Sequence, residues 1–174
     1  MKTVVVYRSK SGYVRKYAEW IAERLSADLF DARQVDAGRL TAYDAVVYGG
    51  GLYIGGINGV KLIVENLDKL RGKKVAVFAV GATPGRKEEI EEVRDKNFTA
   101  EQLQQIRFFY MRGGFDFGRL KPVDKVLMTL LKWMLKRKKN PTADERGMLA
   151  AYERPVDFTS RSNIEELVAY ITSG

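Results

Sequence analysis

A short loop near the N-terminus contains the first residues whose types and spacing favour ligand chemistry. It consists of Ser9, Lys10, Ser11, Gly12, Tyr13 and Val14, and it lies between an apolar run and an amphipathic helix pattern. The N-terminus of a helix offers unpaired N–H groups and a partial positive charge, which suit a phosphate. The hydroxyls add donors, and the glycine lets the backbone approach closely. The loop therefore predicts a phosphate site; the alternative is an ordinary helix start capped by Ser11.

Two common nucleotide motifs do not fit this loop. A P-loop requires G-x-x-x-x-G-K-[ST], which does not occur in the sequence, and this argues against hydrolysis of nucleoside triphosphates. A Rossmann dinucleotide site requires G-x-G-x-x-G here, whereas the loop has one glycine. Asp31 lies about 20 residues further on, where a ribose-binding acid is expected, but the missing glycines weaken that reading. Hydroxyls in place of glycines favour a terminal monophosphate.

Two further loops are rich in small residues. The segment Tyr48–Gly59 has six glycines in twelve residues, a composition that serves tight turns or close backbone contact with something flat. Tyr53 in this segment is expected to stack on a planar ring. For the third loop, Val80–Lys87, a plain turn at Pro84 and Gly85 remains the alternative. The second loop contains Gly51, Leu52, Tyr53 and Ile54, and the third contains Gly81, Ala82 and Thr83.

Five short apolar runs are expected to form the strands that position these loops. They are Thr3–Tyr7, Ala27–Asp31, Ala45–Gly49, Lys74–Val80 and Ile106–Met111. Helix-period patterns lie between most of them and near the C-terminus; the clearest cover Val14–Leu25, Val60–Leu67 and Ile164–Ile171. Strands that alternate with helices form a parallel sheet covered on both faces, and its ligands bind beyond the carboxyl ends of the strands. We expect residues 1–174 to form one such doubly wound α/β domain.

The composition excludes several kinds of chemistry. The chain has no cysteine and no histidine, which rules out disulfides, thiolate or imidazole metal sites and Ser-His triads. Redox or group-transfer chemistry must therefore come from a bound cofactor or from carboxylates, lysines and tyrosines. We expect no metal. The N-terminus begins directly with a strand pattern, without a signal segment, and no run is apolar enough to span a bilayer, so we expect a cytoplasmic protein.

Most of the net charge of +8 lies in one segment. Eight basic residues and one acidic residue, Asp124, fall between Arg119 and Lys139, a local charge of +7. At 100° per residue from Pro122, the apolar side chains fill an arc of about 220°, and the lysines gather in the remainder. The apolar set is Val123, Val126, Leu127, Met128, Leu130, Leu131, Trp133, Met134 and Leu135.

Three interpretations of this basic amphipathic helix, at about 119–139, stay open. It is a helix of the core layer with a solvated lysine face, an interfacial helix on anionic headgroups, or the interface of a homodimer or other partner. Nucleic-acid binding is not expected, because the interleaved residues are aliphatic and not stacking aromatics.

The three loops together resemble the flavodoxin family. Ser9, Ser11 and Gly12 match that family's phosphate loop, [ST]-x-[ST]-G-x-T. The sequence departs from this motif at its last position, where it has Val14 in place of threonine. The resemblance implies a flavodoxin-like doubly wound five-stranded parallel sheet of order 2-1-3-4-5 and non-covalently bound FMN. The residues from Ser9 to Val14 would cradle the phosphate, and those from Gly51 to Ile54 and Gly81 to Thr83 would flank the isoalloxazine. The second stacking aromatic that many flavodoxins supply from the fourth-strand loop is not evident in Gly81–Arg86.

The segment "FFYMRGGFDFGRLKPVDKVLMTLLKWM", Phe108 to Met134, is similar to that of menaquinone-dependent protoporphyrinogen oxidases. This resemblance implies an enzyme of heme biosynthesis that oxidises a tetrapyrrole and passes electrons to quinone at the inner face of the membrane. Arg112, Arg119 and Lys121 would then meet propionate carboxylates. The alternatives are a soluble electron carrier or quinone-type reductase with a protein redox partner, and a flavodoxin-fold binding protein without FMN. No catalytic residue is assigned, since positioning alone can support electron transfer.

Overall fold

The computed structural model describes residues 1–173, and its centre is a sheet of five parallel strands with the spatial order β2-β1-β3-β5-β6. The strands are β1 Thr3–Arg8, β2 Asp28–Asp31, β3 Ala45–Tyr53, β4 Gly56–Ile57, β5 Lys74–Gly81, β6 Ile106–Arg112, β7 Gly114–Phe115 and β8 Val156–Asp157. The central order confirms the doubly wound 2-1-3-4-5 arrangement. The three short strands were not predicted: β4 pairs antiparallel with the end of β3, and β7 pairs antiparallel with β8.

Helices cover both faces of the sheet. They are α1 Tyr13–Leu25, α2 Ala37–Leu40, α3 Lys61–Val64, α4 Lys87–Asn97, α5 Pro122–Arg137, α6 Ala143–Ala151 and α7 Glu165–Thr172. The helix expected over Val60–Leu67 is shorter than predicted, because the chain leaves α3 at Glu65 and makes a separate 3₁₀ turn over Leu67–Leu70. Ile63 and Leu67 are nevertheless buried, so the apolar spacing marked the core face correctly.

Alternation along the strands builds two core layers. Val5, Val47 and Phe78 pack with α1 and α7 on one face of the sheet. Val4 and Val46 face the other side, where they pack with Ile63, Leu70, Phe98 and neighbouring residues. Both faces of the central strands are therefore apolar, as a parallel sheet requires.

Helix α5 belongs to neither layer. It contributes no buried side chain, and it packs mainly beside α6 at the carboxyl edge of the sheet. The interpretation of this segment as a helix of the core layer is therefore wrong. Among the residues described, no helix is both long and apolar enough to cross a membrane.

Candidate functional site

A cleft of about 540 Å³ lies beyond the carboxyl ends of β1, β3 and β5. Its volume is within the range of small-molecule sites, about 300–1,000 Å³. The three predicted loops form one side of it, and the segment after β6 forms the other. Eleven of the thirteen predicted cofactor residues line the cleft: Lys10, Ser11, Tyr13, Val14, Gly51, Leu52, Tyr53, Ile54, Gly81, Ala82 and Thr83. That these residues contact a cofactor stays a prediction.

The first loop leaves the start of α1 open. Gly12 precedes the helix with φ +95°, a left-handed conformation that favours glycine, and its N–H donates to Ser9 Oγ at 3.1 Å. Ser9 and Gly12, the two predicted residues outside the lining, thus shape the turn. Helix α1 has no side-chain cap, so the alternative in which Ser11 caps it is wrong.

The backbone donors of the first turn of α1 precede the helical hydrogen-bond ladder. Its first bond runs from the N–H of Lys16 to the carbonyl of Gly12 at 3.0 Å. The N–H groups of residues 13 to 15 therefore have no helical acceptor. The first turn contains no acidic residue, and Lys10 and Ser11 lie beside it on the cleft wall. This end of the cleft suits an anion.

The second loop is a two-residue hairpin turn between β3 and β4. Tyr53 pairs with Gly56, and the turn residues Ile54 and Gly55 have φ values of +49° and +76°. Positive φ at both positions is the pattern of a type I′ turn, in which a β-branched residue is a conformational outlier. The Ile54 side chain is 72% exposed and lines the cleft. Strained backbone of this kind clusters at functional sites.

Helix α4 holds this hairpin from outside. Lys96 Nζ donates to the carbonyl of Ile54 at 2.7 Å. Asn97 Nδ2 donates to the carbonyl of Gly55 at 2.8 Å, and Asn97 Oδ1 accepts the N–H of Ile57 at 2.8 Å. The strained turn is thus fixed by side chains that the sequence pattern did not single out.

The Tyr53 ring connects the first two loops. It is 42% exposed, and Lys10 Nζ lies 4.4 Å from its centroid. This distance is within the range of a cation–π contact. The ring is therefore accessible from the cleft, and the Lys10 ammonium lies over one of its faces.

The third loop is supported by Tyr110. The Tyr110 hydroxyl donates to the carbonyl of Thr83 at 3.0 Å and lies 2.9 Å from Thr83 Oγ1. A Cβ at Gly81 would overlap this hydroxyl, and one at Gly85 would lie 2.6 Å from the Tyr110 ring. The glycines thus allow an aromatic side chain beneath the loop, which is more than a plain turn at Pro84 and Gly85 would require.

The opposite wall of the cleft was missed by the sequence pattern. It begins in β7 and continues along α5 to one residue of α6. Phe115 supplies a second aromatic side chain to the cleft. It lies in the segment after β6, whereas the flavodoxin resemblance implied the fourth-strand loop as the source of this aromatic. The apolar part of this wall is formed by Phe115, Leu120, Leu127, Met128, Leu131 and Met148.

The glycine pair after β6 was the signal that could have indicated this wall. A Cβ at Gly114 would overlap the Val156 carbonyl and would lie 2.7 Å from the Tyr13 ring. Tyr13 also donates its hydroxyl to the Val156 carbonyl at 3.2 Å. The β7–β8 pair therefore packs directly on the first residue of α1, which brings the chain after β6 to the phosphate loop.

Charged residues expected at a substrate are only partly in the cleft. Arg119 and Lys121 line it, and Arg119 Nε lies 3.3 Å from Asp116 Oδ2. Arg112 is elsewhere: its guanidinium lies 3.6 Å from the centre of the Phe158 ring. The expectation that Arg112 meets a substrate carboxylate in this cleft is therefore wrong, because Arg112 does not line the cleft and instead borders a separate pocket together with Ser162 and Glu166.

Asp31 is also outside the cleft. Its carboxylate caps the 3₁₀ turn Ala32–Gln34 and pairs with Arg33 at 2.8 Å. Hydrogen bonding from Arg33 lowers the pKa of Asp31 to about 2. Asp31 therefore has a local structural role, and this agrees with the absence of the glycines that a dinucleotide site would require.

Two tyrosines near the cleft, Tyr13 and Tyr110, have raised pKa values and are neutral donors at physiological pH. Burial, with the nearby Asp157 carboxylate as the next cause, raises the pKa of Tyr13. Burial also raises the pKa of Tyr110, although its bond to Thr83 opposes the shift. These hydroxyls are held as hydrogen-bond donors, and the arrangement suits binding and positioning more than proton transfer at neutral pH.

Comparison with known proteins identifies the family. The family model described as "Flavodoxin domain" matches residues 4–142. An uncharacterised protein of Methanocaldococcus jannaschii is 32% identical over 125 residues, which are 70% of this chain and 81% of that protein.

Two solved flavodoxins are among the similar structures. Oxidised flavodoxin 2 from Bacillus cereus is 24% identical over 63% of this chain and 84% of its own, with a TM-score of 0.44. A flavodoxin from the domain Archaea is 18% identical over 88% of this chain and 98% of its own, also with a TM-score of 0.44. On the match to the family model, the chain belongs to the flavodoxin-domain family, and this membership points to FMN as its cofactor.

Proposed function

We propose that this protein binds FMN in the cleft and acts as a flavodoxin-type electron carrier or oxidoreductase. The observation that carries the proposal is the convergence of an open helix N-terminus with two glycine-rich loops on one cleft. The phosphate end would be formed by the free N–H groups of α1 with Ser11 and Lys10. These are neutral or positive donors, which fit a phosphate monoester.

The remainder of the cleft fits a flat, largely apolar ring. Gly51 and Gly81 have no side chains to obstruct it, and a Cβ at Gly81 would also approach Leu52 Cδ1 to 3.0 Å. Tyr53 and Phe115 offer aromatic surface from two different walls. The bound flavin would supply the redox chemistry, and the chain would orient it, exclude water and shape access to it.

The apolar wall supports a more specific proposal for the substrate. Leu127, Met128 and Leu131 provide a surface for a planar apolar molecule beside the ring site. Arg119 and Lys121 border this surface and suit carboxylates as charge-assisted hydrogen-bond donors. We therefore propose a tetrapyrrole of the protoporphyrinogen type as electron donor, with a quinone as acceptor. The alternative, a carrier that serves a protein partner, needs no such wall.

Cofactor binding is tested by visible absorption of the purified protein after FMN is added and the excess removed. Ser11→Asp introduces a negative charge at the phosphate end, where two like charges about 4 Å apart repel by several kcal/mol at an effective dielectric constant near 20. We expect FMN affinity to fall at least about a hundredfold. The matched control is Ser173→Asp, which follows α7 at the opposite edge of the sheet, where Lys74 bonds the carbonyl of Ile171. Equal FMN affinity in both variants would overturn the assignment of the phosphate end.

The substrate proposal is tested separately with the FMN-loaded protein. Protoporphyrinogen oxidation with a water-soluble quinone is expected to show a higher KM in Arg119→Gln/Lys121→Gln, with FMN affinity unchanged. Turnover that appears only with a protein electron acceptor, and that is unchanged by these substitutions, would favour the alternative of an electron carrier that serves a protein partner.

A further inference from the structure

The apolar arc of helix α5 divides into two faces in the structure. The inner face, Leu127, Met128 and Leu131, lines the cleft. The outer face is defined here as Val123, Val126, Leu130, Trp133 and Met134, and none of these residues lines the cleft. At 100° per residue the outer face covers an arc of about 100°. The broad arc in the sequence thus serves two different environments.

The outer face is open to solvent along the whole helix. The side chains of Val123, Val126 and Met134 are 76%, 63% and 63% exposed, and those of Leu130 and Trp133 are 57% and 55% exposed. Single exposed apolar residues are ordinary, but a continuous stripe of five on one helix marks an interaction surface. The remaining exposed large apolar residues of the described chain do not form a comparable stripe.

Positive charges border this stripe. On the helical wheel the outer face begins at Trp133, near 20°, and Lys136 and Lys125 follow beside this edge at about 320° and 300°. Lys132 lies further round, at about 280°, with its ammonium 5.3 Å from the centre of the Tyr152 ring. Arg137 lies at its C-terminal end, with its guanidinium 3.9 Å from the centre of the Trp133 ring. An apolar stripe with lysines at its edge and a tryptophan within it is typical of a helix that lies in the surface of an anionic bilayer.

We propose that the outer face of α5 docks on an anionic lipid bilayer, with the helix parallel to the membrane plane. The apolar side chains would enter the region of the acyl chains, and the lysines would meet headgroup phosphates. A second copy of the chain is a poorer occupant, because two such faces would bring two segments of charge +7 together. Nucleic acid is poorer still, because the stripe is mainly aliphatic.

Docking in this way would place the cleft beside the bilayer. The inner and outer faces meet at Leu127, which lines the cleft and is 42% exposed. A lipid-soluble electron donor or acceptor would then have a short path to the ring site. This consequence rests on the proposed function, but the docking itself does not, and it is tested without FMN.

The test uses Trp133 as the reporter. In a Trp20→Phe background Trp133 is the sole tryptophan. Phosphatidylcholine vesicles with phosphatidylglycerol are expected to sediment the protein and to shift its emission to the blue. Brominated lipid should quench that emission. Vesicles of phosphatidylcholine alone should bind at least about tenfold more weakly, since each cation near an anionic surface contributes about 1 kcal/mol.

Matched variants separate the charge from the apolar contribution. Lys125→Gln/Lys136→Gln is expected to weaken binding about thirtyfold, since two cations at about 1 kcal/mol each are removed. Lys2→Gln/Lys69→Gln removes the same charge at the amino edge of the sheet, opposite α5, and should leave binding nearly unchanged. Val126→Gln/Leu130→Gln should abolish the blue shift, and far-UV circular dichroism should confirm that the helix remains folded.

Several results would overturn the proposal. Absence of binding to anionic vesicles would do so, as would equal binding to both kinds of vesicle or equal losses in the two lysine pairs. A stable dimer in sedimentation velocity that Val126→Gln/Leu130→Gln converts to a monomer would show that a second copy covers this face instead.

Discussion

Asn97 on α4 accepts the backbone N–H of Ile57 at 2.8 Å and so fastens the helix to the hairpin that carries Tyr53. The same side chain donates to the carbonyls of Gly55 and Val93 at 2.8 and 2.7 Å. Ile57 is 4% exposed, so water could not readily replace Asn97 Oδ1 as the acceptor of its N–H. One amide side chain thus satisfies the buried backbone of a turn that is itself strained.

Asn97→Ala is expected to lower the free energy of unfolding by about 1–3 kcal/mol, the cost of a buried unpaired backbone group. FMN affinity should fall as well, because the hairpin would lose its support. Urea denaturation followed by circular dichroism and FMN titration measure the two effects. Asn140→Ala is the control, because Asn140 is exposed in the loop between α5 and α6. Similar losses in both variants would argue against a special role for Asn97.

Two glycines with open space around them are expected to respond oppositely to alanine. Apart from the adjoining residues, and for Gly147 the backbone of its own helix, no heavy atom lies within 4 Å of a Cβ built on Gly12 or on Gly147. Gly12 has φ +95°, where an L-residue is disfavoured by about 1–2 kcal/mol, so Gly12→Ala should destabilise the protein. Gly147 lies inside α6, where alanine is favoured by about 0.5–1 kcal/mol.

Thermal unfolding of the FMN-free proteins measures both substitutions without involving the cofactor. Gly12→Ala should also weaken FMN binding, because it displaces the open N–H groups of α1, whereas Gly147→Ala should leave binding unchanged. Stabilisation by both substitutions would mean that the turn before α1 does not adopt the left-handed conformation.

The ion pair of Asp31 with Arg33 makes a testable contribution to acid stability. The pKa of Asp31 is lowered from 3.8 to about 2 in the folded protein. The ionised carboxylate therefore stabilises the folded state at pH values above the pKa that it has in the unfolded chain. That contribution is lost as the pH falls from about 4 to about 2. Arg33 is 69% exposed, which reduces the expected effect to about 1 kcal/mol.

Urea unfolding of Asp31→Asn between about pH 6 and pH 2 should therefore show a shallower loss of stability than the parent protein. Arg33→Gln should behave in the same way, because it removes the group that lowers the pKa. Asp68→Asn is the control, since that carboxylate is 86% exposed. An unchanged pH slope in Asp31→Asn would show that this pair does not stabilise the fold.

The central sheet and three of the loops were predictable from sequence for a simple physical reason. Strands such as Lys74–Val80 are apolar on both faces, and the carboxyl ends of parallel strands meet at one edge. Local patterns therefore locate Ser11, Tyr53 and Thr83 near one another, although they are far apart in the chain. Helix ends and the break after Val64 depend on local turn geometry, and these were placed less accurately.

The wall opposite those loops was not predictable in the same way. Strands β7 and β8 have two residues each and pair across about 40 residues of chain, so they have no periodicity to detect. The apolar spacing of α5 gave its broad arc, but it cannot show that Leu131 faces the cleft and Leu130 faces solvent. That division depends on α6, whose packing is a tertiary property.

Tyr152, at the end of α6, is the residue that fixes this division. Its ring lies 5.2 Å from that of Phe115 and 5.4 Å from that of Phe117, measured between centroids. Its hydroxyl donates to the carbonyl of Met128 on α5 at 2.8 Å. Tyr152 is 8% exposed, so it joins α5, α6 and the chain after β6 through a buried contact.

Tyr152→Ala is expected to loosen the α5–α6 region while the central sheet stays folded. Removing a buried aromatic side chain costs about 3–5 kcal/mol, which is enough to speed local opening at least about a hundredfold. Hydrogen exchange should show faster exchange over Pro122–Ala151 and unchanged protection in β3 and β5. Tyr152→Phe keeps the rings in contact and loses one hydrogen bond, so its effect should be about 1 kcal/mol. If exchange rose equally in the sheet, the α5–α6 region would be part of one cooperative unit with it, and the cleft could not open independently.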